Sequence, residues 1–203
     1  MNVDSLMRLA PVIPVLVIDD VATAAALAAA LVAGGLRALE VTMRTPAALS
    51  VMKEMAQVPG AVVGAGTVLN ERDLDAALGA GAQFIVSPGL TEPLGRAALG
   101  RGVAFLPGVA NAGDLMRGLD LGLDHFKFFP AEAAGGIKAL QALSAPFAMA
   151  RFCPTGGITV ESAPRWLALP SVICVGGSWM APRGGTDYQA VRAAAQQAST
   201  LKA

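Results

Sequence analysis

The stretch His125-Phe126-Lys127-Phe128-Phe129-Pro130-Ala131-Glu132 sets a lysine among aromatic residues at the end of an expected strand. Side chains alternate between the faces of a strand, so Lys127 and Phe129 share one side and Phe126 and Phe128 the other. Burial in apolar surroundings disfavours an ammonium ion and leaves more free amine, the form that attacks a carbonyl. Lys127 is therefore the candidate nucleophile. Taken alone, the stretch also accommodates, and by itself favours, a strand-end lysine whose amine reaches solvent along a snorkelling side chain. Glu40 is the second candidate, lying in the apolar run Leu36-Arg37-Ala38-Leu39-Glu40-Val41 on the parity of Ala38. An inward carboxylate near a strand end can serve as a general acid/base, or it can form a structural ion pair with Arg44 or Arg151. These residues alone do not choose between the two.

Arg44 follows in the next loop and carries the planar fork that holds a carboxylate. Thr67, behind Gly64-Ala65-Gly66, can donate to the same group or cap the following helix. Thr155-Gly156-Gly157 and Gly176-Gly177-Ser178 form two glycine turns, and glycine lets backbone amides come close to phosphate oxygens. Each alone is an ordinary turn. Together, at two successive strand ends, they point to a phosphate site.

Short β-branched or apolar runs alternate with alanine- and leucine-rich segments in eight pairs. Strands are expected at Val12–Ile18, Ala38–Thr42, Ala61–Ala65, Phe84–Val86, Ala104–Leu106, His125–Phe128, Arg151–Cys153 and Val172–Val175. Helices are expected near 20–34, 46–57, 70–80, 91–101, 111–121, 136–144, 160–168 and 186–200, with Thr45, Asn70 with Asp73, and Asn111 with Asp114 at their starts. Repeats of about 25 residues with this alternation indicate βα units and a parallel sheet. Eight of them predict a single α/β domain over 1–203, a closed (β/α)8 TIM barrel. A doubly wound open sheet is the runner-up, weakened because Ile18-Asp19-Asp20-Val21 after the first strand carries no glycine-rich dinucleotide fingerprint. In a barrel, the carboxyl ends of the strands gather Glu40, Arg44, Thr67, Pro88, Lys127, Phe129, Thr155 and Ser178 on one face.

Lysine plus arginine equal aspartate plus glutamate at 15 each, so no excess charge recommends a nucleic acid or an anionic membrane surface. Asp4, Pro11 and Pro14 argue against reading the N-terminus as a signal peptide, and Val21–Ala33 is too short and too weakly apolar for a membrane span. A soluble, cytoplasmic protein is expected. Cys153 and Cys174 lack CxxC spacing and read as buried free thiols. His125, the sole histidine, argues against a histidine-rich metal site, and its parity with Lys127 places it in a deeper layer rather than in proton transfer.

The ordered set Val12-Ile13-Pro14-Val15, Leu39-Glu40-Val41-Thr42, Val63 to Leu69, Ser87-Pro88-Gly89-Leu90, Lys127 to Glu132, Arg151 to Ile158 and Val175 to Trp179 resembles the class I 2-dehydro-3-deoxy-phosphogluconate (KDPG) aldolases, also called 4-hydroxy-2-oxoglutarate (KHG) aldolases. The resemblance runs through nearly the whole chain. It implies a (β/α)8 barrel, a homotrimer, no cofactor and no metal. It further implies Lys127 as the Schiff-base lysine, Glu40 as the proton carrier, and Arg44 and Thr67 as holders of the pyruvyl carboxylate. Pro88 and Phe129 would shape the pocket, and Gly156, Gly157 and Ser178, with the Gly176-Gly177 turn, would receive the phosphate. Thr155 would help select the gluconate-derived substrate over its galactonate epimer. The partners so implied are a phosphorylated 2-keto-3-deoxy sugar acid, pyruvate and glyceraldehyde 3-phosphate. A galactonate-type aldolase, a barrel phosphosugar isomerase or synthase, and a non-catalytic phosphosugar-binding barrel are the competing readings.

Overall fold

A computed structural model describes residues 1–201. A short helix absent from the sequence expectation, α1 (Val3–Met7), comes first; the Asn2 carboxamide accepts from the Ser5 amide at 2.8 Å and caps it. Then follow β1 (Val12–Leu16), α2 (Ala24–Ala33), β2 (Ala38–Thr42), α3 (Ala48–Ala56), β3 (Val62–Gly66), α4 (Glu71–Gly79), β4 (Phe84–Val86), α5 (Glu92–Gly100) and β5 (Ala104–Leu106). The second half runs β6 (Gly108–Val109), α6 (Ala112–Asp120), β7 (His125–Phe128), α7 (Gly136–Ser144), β8 (Arg151–Pro154), α8 (Ala163–Leu167), β9 (Val175–Gly177) and α9 (Tyr188–Ser199).

All pairings are parallel, in a six-stranded sheet of order β5-β4-β3-β2-β1-β9 and a three-stranded sheet β6-β7-β8. The fifth expected strand forms as expected at Ala104–Leu106, and after Pro107, whose ring removes the N–H a ladder needs, the chain resumes as the unexpected short strand β6. β5 therefore pairs with β4 on one side of the proline, and β6 with β7 on the other. The last expected strand, 172–175, forms further along at Val175–Gly177, and isolated bridges Phe152↔Val172 and Thr155↔Gly176 link it to β8. The result is a barrel-like α/β fold.

Strand alternation divides the core into two layers. Ile13, Ala38, Phe84, Val86, Leu106, Cys153 and Cys174 fill the inner layer, closed at one end by Leu6 and Met7 of α1. Full burial of those two side chains stabilises the fold by about 1.5–3 kcal/mol each. Phe126, Phe128 and Phe152 face outward onto the helices, with the Phe128 and Trp166 rings 6.3 Å apart. The two cysteines are buried free thiols; the neighbouring Cys153 thiol, and after it burial, push Cys174 well above the usual thiol range.

Asn70 and Asn111 cap their helices as expected, each accepting from the amide of an aspartate three residues on and donating back to that carboxylate. Thr45 does not cap. Its hydroxyl donates to the Ile18 carbonyl at 2.7 Å, while Thr42 does the same to Leu16 at 2.8 Å, so both tie the exit of β2 to that of β1. The helix expected over 160–168 shortens to Ala163–Leu167.

Candidate active site

β2 and β7 deliver the two central groups from opposite parts of the sheet system. Lys127 Nζ lies 3.0 Å from Glu40 Oε1 and 3.4 Å from Oε2, with both side chains about 95% buried. A Cβ on Gly66, the neighbouring inward residue of β3, would collide with the Glu40 carboxylate, so glycine there is what makes room for it. The Phe129 ring centroid stands 5.4 Å from Nζ, on the side that strand parity assigned to both residues. The amine does not reach solvent by snorkelling, and Glu40 pairs with neither arginine weighed as an alternative. Arg44 Nε donates to Thr67, and Arg151 donates to the Ala148 and Ala150 carbonyls at the opposite end of β8. Two buried opposite charges cost desolvation that their attraction must offset, so the pair is poor evidence of stabilisation and good evidence of a site.

Thr67 carries the one positive φ, +60°, among the described non-glycine residues. The left-handed region is unfavourable for a β-branched side chain, costing roughly 1–2 kcal/mol. The strain coincides with a contact: Thr67 Oγ1 accepts from Arg44 Nε at 3.1 Å, fixing the exposed guanidinium over the mouth. Thr67 is not the helix cap, a task that falls to Asn70.

Lys127, Phe129, Arg44, Thr155, Gly156, Gly157, Gly176, Gly177 and Ser178 line one cavity of about 170 Å³. Val15, Val17 and Ile158 complete its wall and were not singled out in the sequence. Val15 was legible in principle, since it shares the strand parity of Ile13 in the inner layer; the register sets it opposite Glu40. Pro88 does not line this cavity; its carbonyl packs against the space where Gly108 lacks a Cβ, next to the strand that carries Lys127. Gly176 acts from within the fold, because a Cβ there would overlap the Thr155 hydroxyl. The turn Gly156-Gly157, with φ of +106° and +78°, is fastened to the exit of β7 by Ala131 N–H to Thr155 O at 2.8 Å and Glu132 N–H to Gly156 O at 3.1 Å. The Trp166 indole donates to Glu132 Oε1 at 3.0 Å from the outer side. A buried amine and carboxylate, an arginine over them and glycine turns beyond fit a carbonyl compound with an anion at each end.

His125, two residues before Lys127, lies at the other end of β7, its Nδ1 2.6 Å from Asp124 and its Nε2 3.2 Å from Asp4. Among the described residues no group of three or more His, Cys, Asp or Glu could hold a metal ion, and no helix is long and apolar enough to cross a membrane.

Comparison with known families agrees with this geometry. The family described as "Aldolase: KDPG and KHG aldolase" matches residues 3–194. The chain belongs to this aldolase family. It is 60% identical over 201 residues to the 2-dehydro-3-deoxy-phosphogluconate aldolase of Zymomonas mobilis subsp. mobilis (strain ATCC 31821 / ZM4 / CP4), covering 99% of this chain and 97% of that one. The crystal structure of the Zymomonas mobilis ZM4 2-keto-3-deoxy-6-phosphogluconate aldolase with 3-phosphoglycerate superposes with a TM-score of 0.98 at 60% identity, covering 99% of this chain and 96% of that one. The Legionella pneumophila KDPG aldolase, with pyruvate captured at low pH as a covalent carbinolamine intermediate, superposes with a TM-score of 0.96 at 41% identity over 98% of this chain and 99% of its own.

Proposed function

We propose that the chain is a class I aldolase that cleaves 2-dehydro-3-deoxy-6-phospho-D-gluconate to pyruvate and D-glyceraldehyde 3-phosphate and also acts on 4-hydroxy-2-oxoglutarate. The observation that carries the reading is the buried Lys127–Glu40 contact of 3.0 Å, with Lys127 lining the cavity and Glu40 behind it, in a chain of this family. Lys127 passes a proton to Glu40, and the free amine attacks the substrate ketone at C2. Glu40 returns the proton to the carbinolamine hydroxyl, which leaves as water, and the resulting iminium becomes an electron sink. The carboxylate, directly or through a water, then takes the proton of the C4 hydroxyl, and the C3–C4 bond breaks. Glyceraldehyde 3-phosphate departs. Reprotonation of the enamine at C3 and hydrolysis release pyruvate and restore the amine. One carboxylate serves throughout because it alternates between base and acid.

Arg44, held by Thr67, takes the carboxylate of the pyruvyl part, and Phe129 limits the pocket around it. Gly156, Gly157, Gly176, Gly177 and Ser178 receive the phosphate, and Thr155 discriminates at C4. The position of Thr155 between the glycine turns, with its hydroxyl turned inward over Gly176, supports that role. The isolated bridges Phe152↔Val172 and Thr155↔Gly176, which join the β8 and β9 segments, support a closed eight-unit barrel. A cytoplasmic homotrimer acting in the Entner–Doudoroff pathway rests on the family resemblance.

Initial rates of pyruvate release from the gluconate compound, its C4 epimer and 4-hydroxy-2-oxoglutarate test the reading together. A preference for the gluconate compound is expected. Preference for the epimer would remove Thr155 as selector, comparable rates on the unphosphorylated acid would demote the phosphate site, and no release from any of the three would sink the aldolase.

A further inference from the structure

The proposed substrate has an anion at each end, and the cavity is unevenly supplied with charge to meet them. Arg44 and Lys127 are its cations, and Lys127 is already matched by Glu40. The glycine turns and Ser178 offer only neutral donors to a phosphate dianion. Beyond Ser178 the space continues between Val15, Val17 and Arg44 on one side and Pro182 and Arg183 on the other, so Arg183 borders it as a second cation, the one not already assigned to the pyruvyl carboxylate.

The Arg183 guanidinium is at present forked onto Asp19, with Nε 2.7 Å from Oδ2 and Nη2 2.7 Å from Oδ1. Both side chains are half or more exposed, at 65% and 50%, and an ion pair so open to water and salt is weak. Arg183 follows Pro182 and precedes Gly184, which has φ of +75°, in a stretch without helix or strand between β9 and α9. The side chain is therefore free to exchange partners. A phosphate presents more charge and more oxygens to the same planar fork than the Asp19 carboxylate does.

We propose that Arg183 is a specificity residue that leaves Asp19 to bind the terminal phosphate of the substrate, raising selectivity for the phosphorylated acid over unphosphorylated 2-oxo acids. The inference rests on the aldolase reading above. Asp19 is then a resting counter-ion, displaced when substrate enters.

Two variants that break the same ion pair separate this role from a merely structural latch. For Arg183→Gln and Asp19→Asn, kcat/KM is measured on 2-dehydro-3-deoxy-6-phosphogluconate and on 4-hydroxy-2-oxoglutarate beside the wild type. In Arg183→Gln the ratio of the two values should fall about tenfold, carried by KM for the phosphorylated compound, as expected for one lost charge-assisted contact. Asp19→Asn should hold or raise that ratio, because it frees the arginine. Inorganic phosphate should inhibit wild type and Asp19→Asn more strongly than Arg183→Gln. Parallel losses in both variants, or an unchanged ratio in Arg183→Gln, would overturn the proposal while leaving the aldolase intact. A wild type inactive on both compounds would remove the aldolase reading and this inference with it.

Discussion

Lys127 and His125 point to the same side of one strand, two residues apart, and each faces carboxylates; what surrounds them gives them opposite uses. At the carboxyl end of β7, Lys127 and Glu40 meet from distant parts of the chain with both side chains about 95% buried. At the amino end, His125 stands between Asp124 and Asp4, whose side chains are 60% and 43% exposed, and Asp4 is also bound by Arg8 at 3.0 Å. Water screens the lower cluster, so it works as a modest fastener that holds α1 against the end of the inner layer. The upper pair is largely withdrawn from solvent and is expensive to maintain, which is a condition catalysis can use. Charge alone does not distinguish structure from chemistry in this molecule. Burial does.

The sharpest way to break this comparison is Lys127→Met. Removing the amine should lower pyruvate release on the order of 10⁴-fold or more, and borohydride with pyruvate should add mass to the wild type but not to the variant. If the variant's mass rose as well, another lysine would be the nucleophile. The same substitution strands Glu40, so denaturant unfolding should register a loss of about 3 kcal/mol, most of it recovered when Glu40→Leu is added. Failure of the double variant to recover would mean the pair contributes to stability in the way the lower cluster does.

Thr67→Gly should have a smaller and divided effect. Relief of the left-handed backbone should raise unfolding free energy by about 1 kcal/mol, while loss of the hydroxyl that holds Arg44 should raise KM for the substrate several-fold. A variant that is both no more stable and unchanged in KM would show that the strain has no bearing on the site.

The smallest effects belong to the lower end. His125→Ala should cost about 1 kcal/mol of stability and leave kcat alone, since its partners are structural. Arg8, and after it His125, hold the Asp4 carboxyl below the usual carboxylate range. A depressed value means that this contribution is present above the ordinary aspartate pKa and is lost as pH falls through the lowered one. Thermal unfolding of wild type and Asp4→Asn should therefore converge in acid and separate toward neutral pH. A kcat change in His125→Ala would mean that the two ends of β7 are coupled after all.

Much of the upper end was legible because strand parity and strand-end chemistry are local properties. Alternation put Lys127 beside Phe129 and Glu40 beside Ala38 in the inner layer, and glycine turns marked two loops at which the chain closes on its cavity. The lower end was nearly silent. Asn2 and the Asp4–Arg8 spacing are weak signals over five helical residues, and what makes α1 a helix is burial of Leu6 and Met7, a tertiary contact. Thr45 misled, and the cap alternative for Thr67 fell, for a related reason. A threonine before a helix is a local cap candidate, but here each hydroxyl found a partner brought by another βα unit, Arg44 for the one and the Ile18 carbonyl for the other.

The amino-acid sequence by itself determined the alternation of strands and helices, the faces their side chains take, and the family to which the chain belongs. Those are consequences of two-residue and 3.6-residue periods and of an ordered set of motifs, none of which depends on long-range geometry. Only the tertiary structure decided which carboxylate meets Lys127, which partners Arg44 and Arg151 take, and which of two ion clusters is buried. Lys127 and Arg44 meet their partners from segments far apart in the chain, and solvent exclusion, which sets the energies of such contacts, exists only once the sheets are assembled.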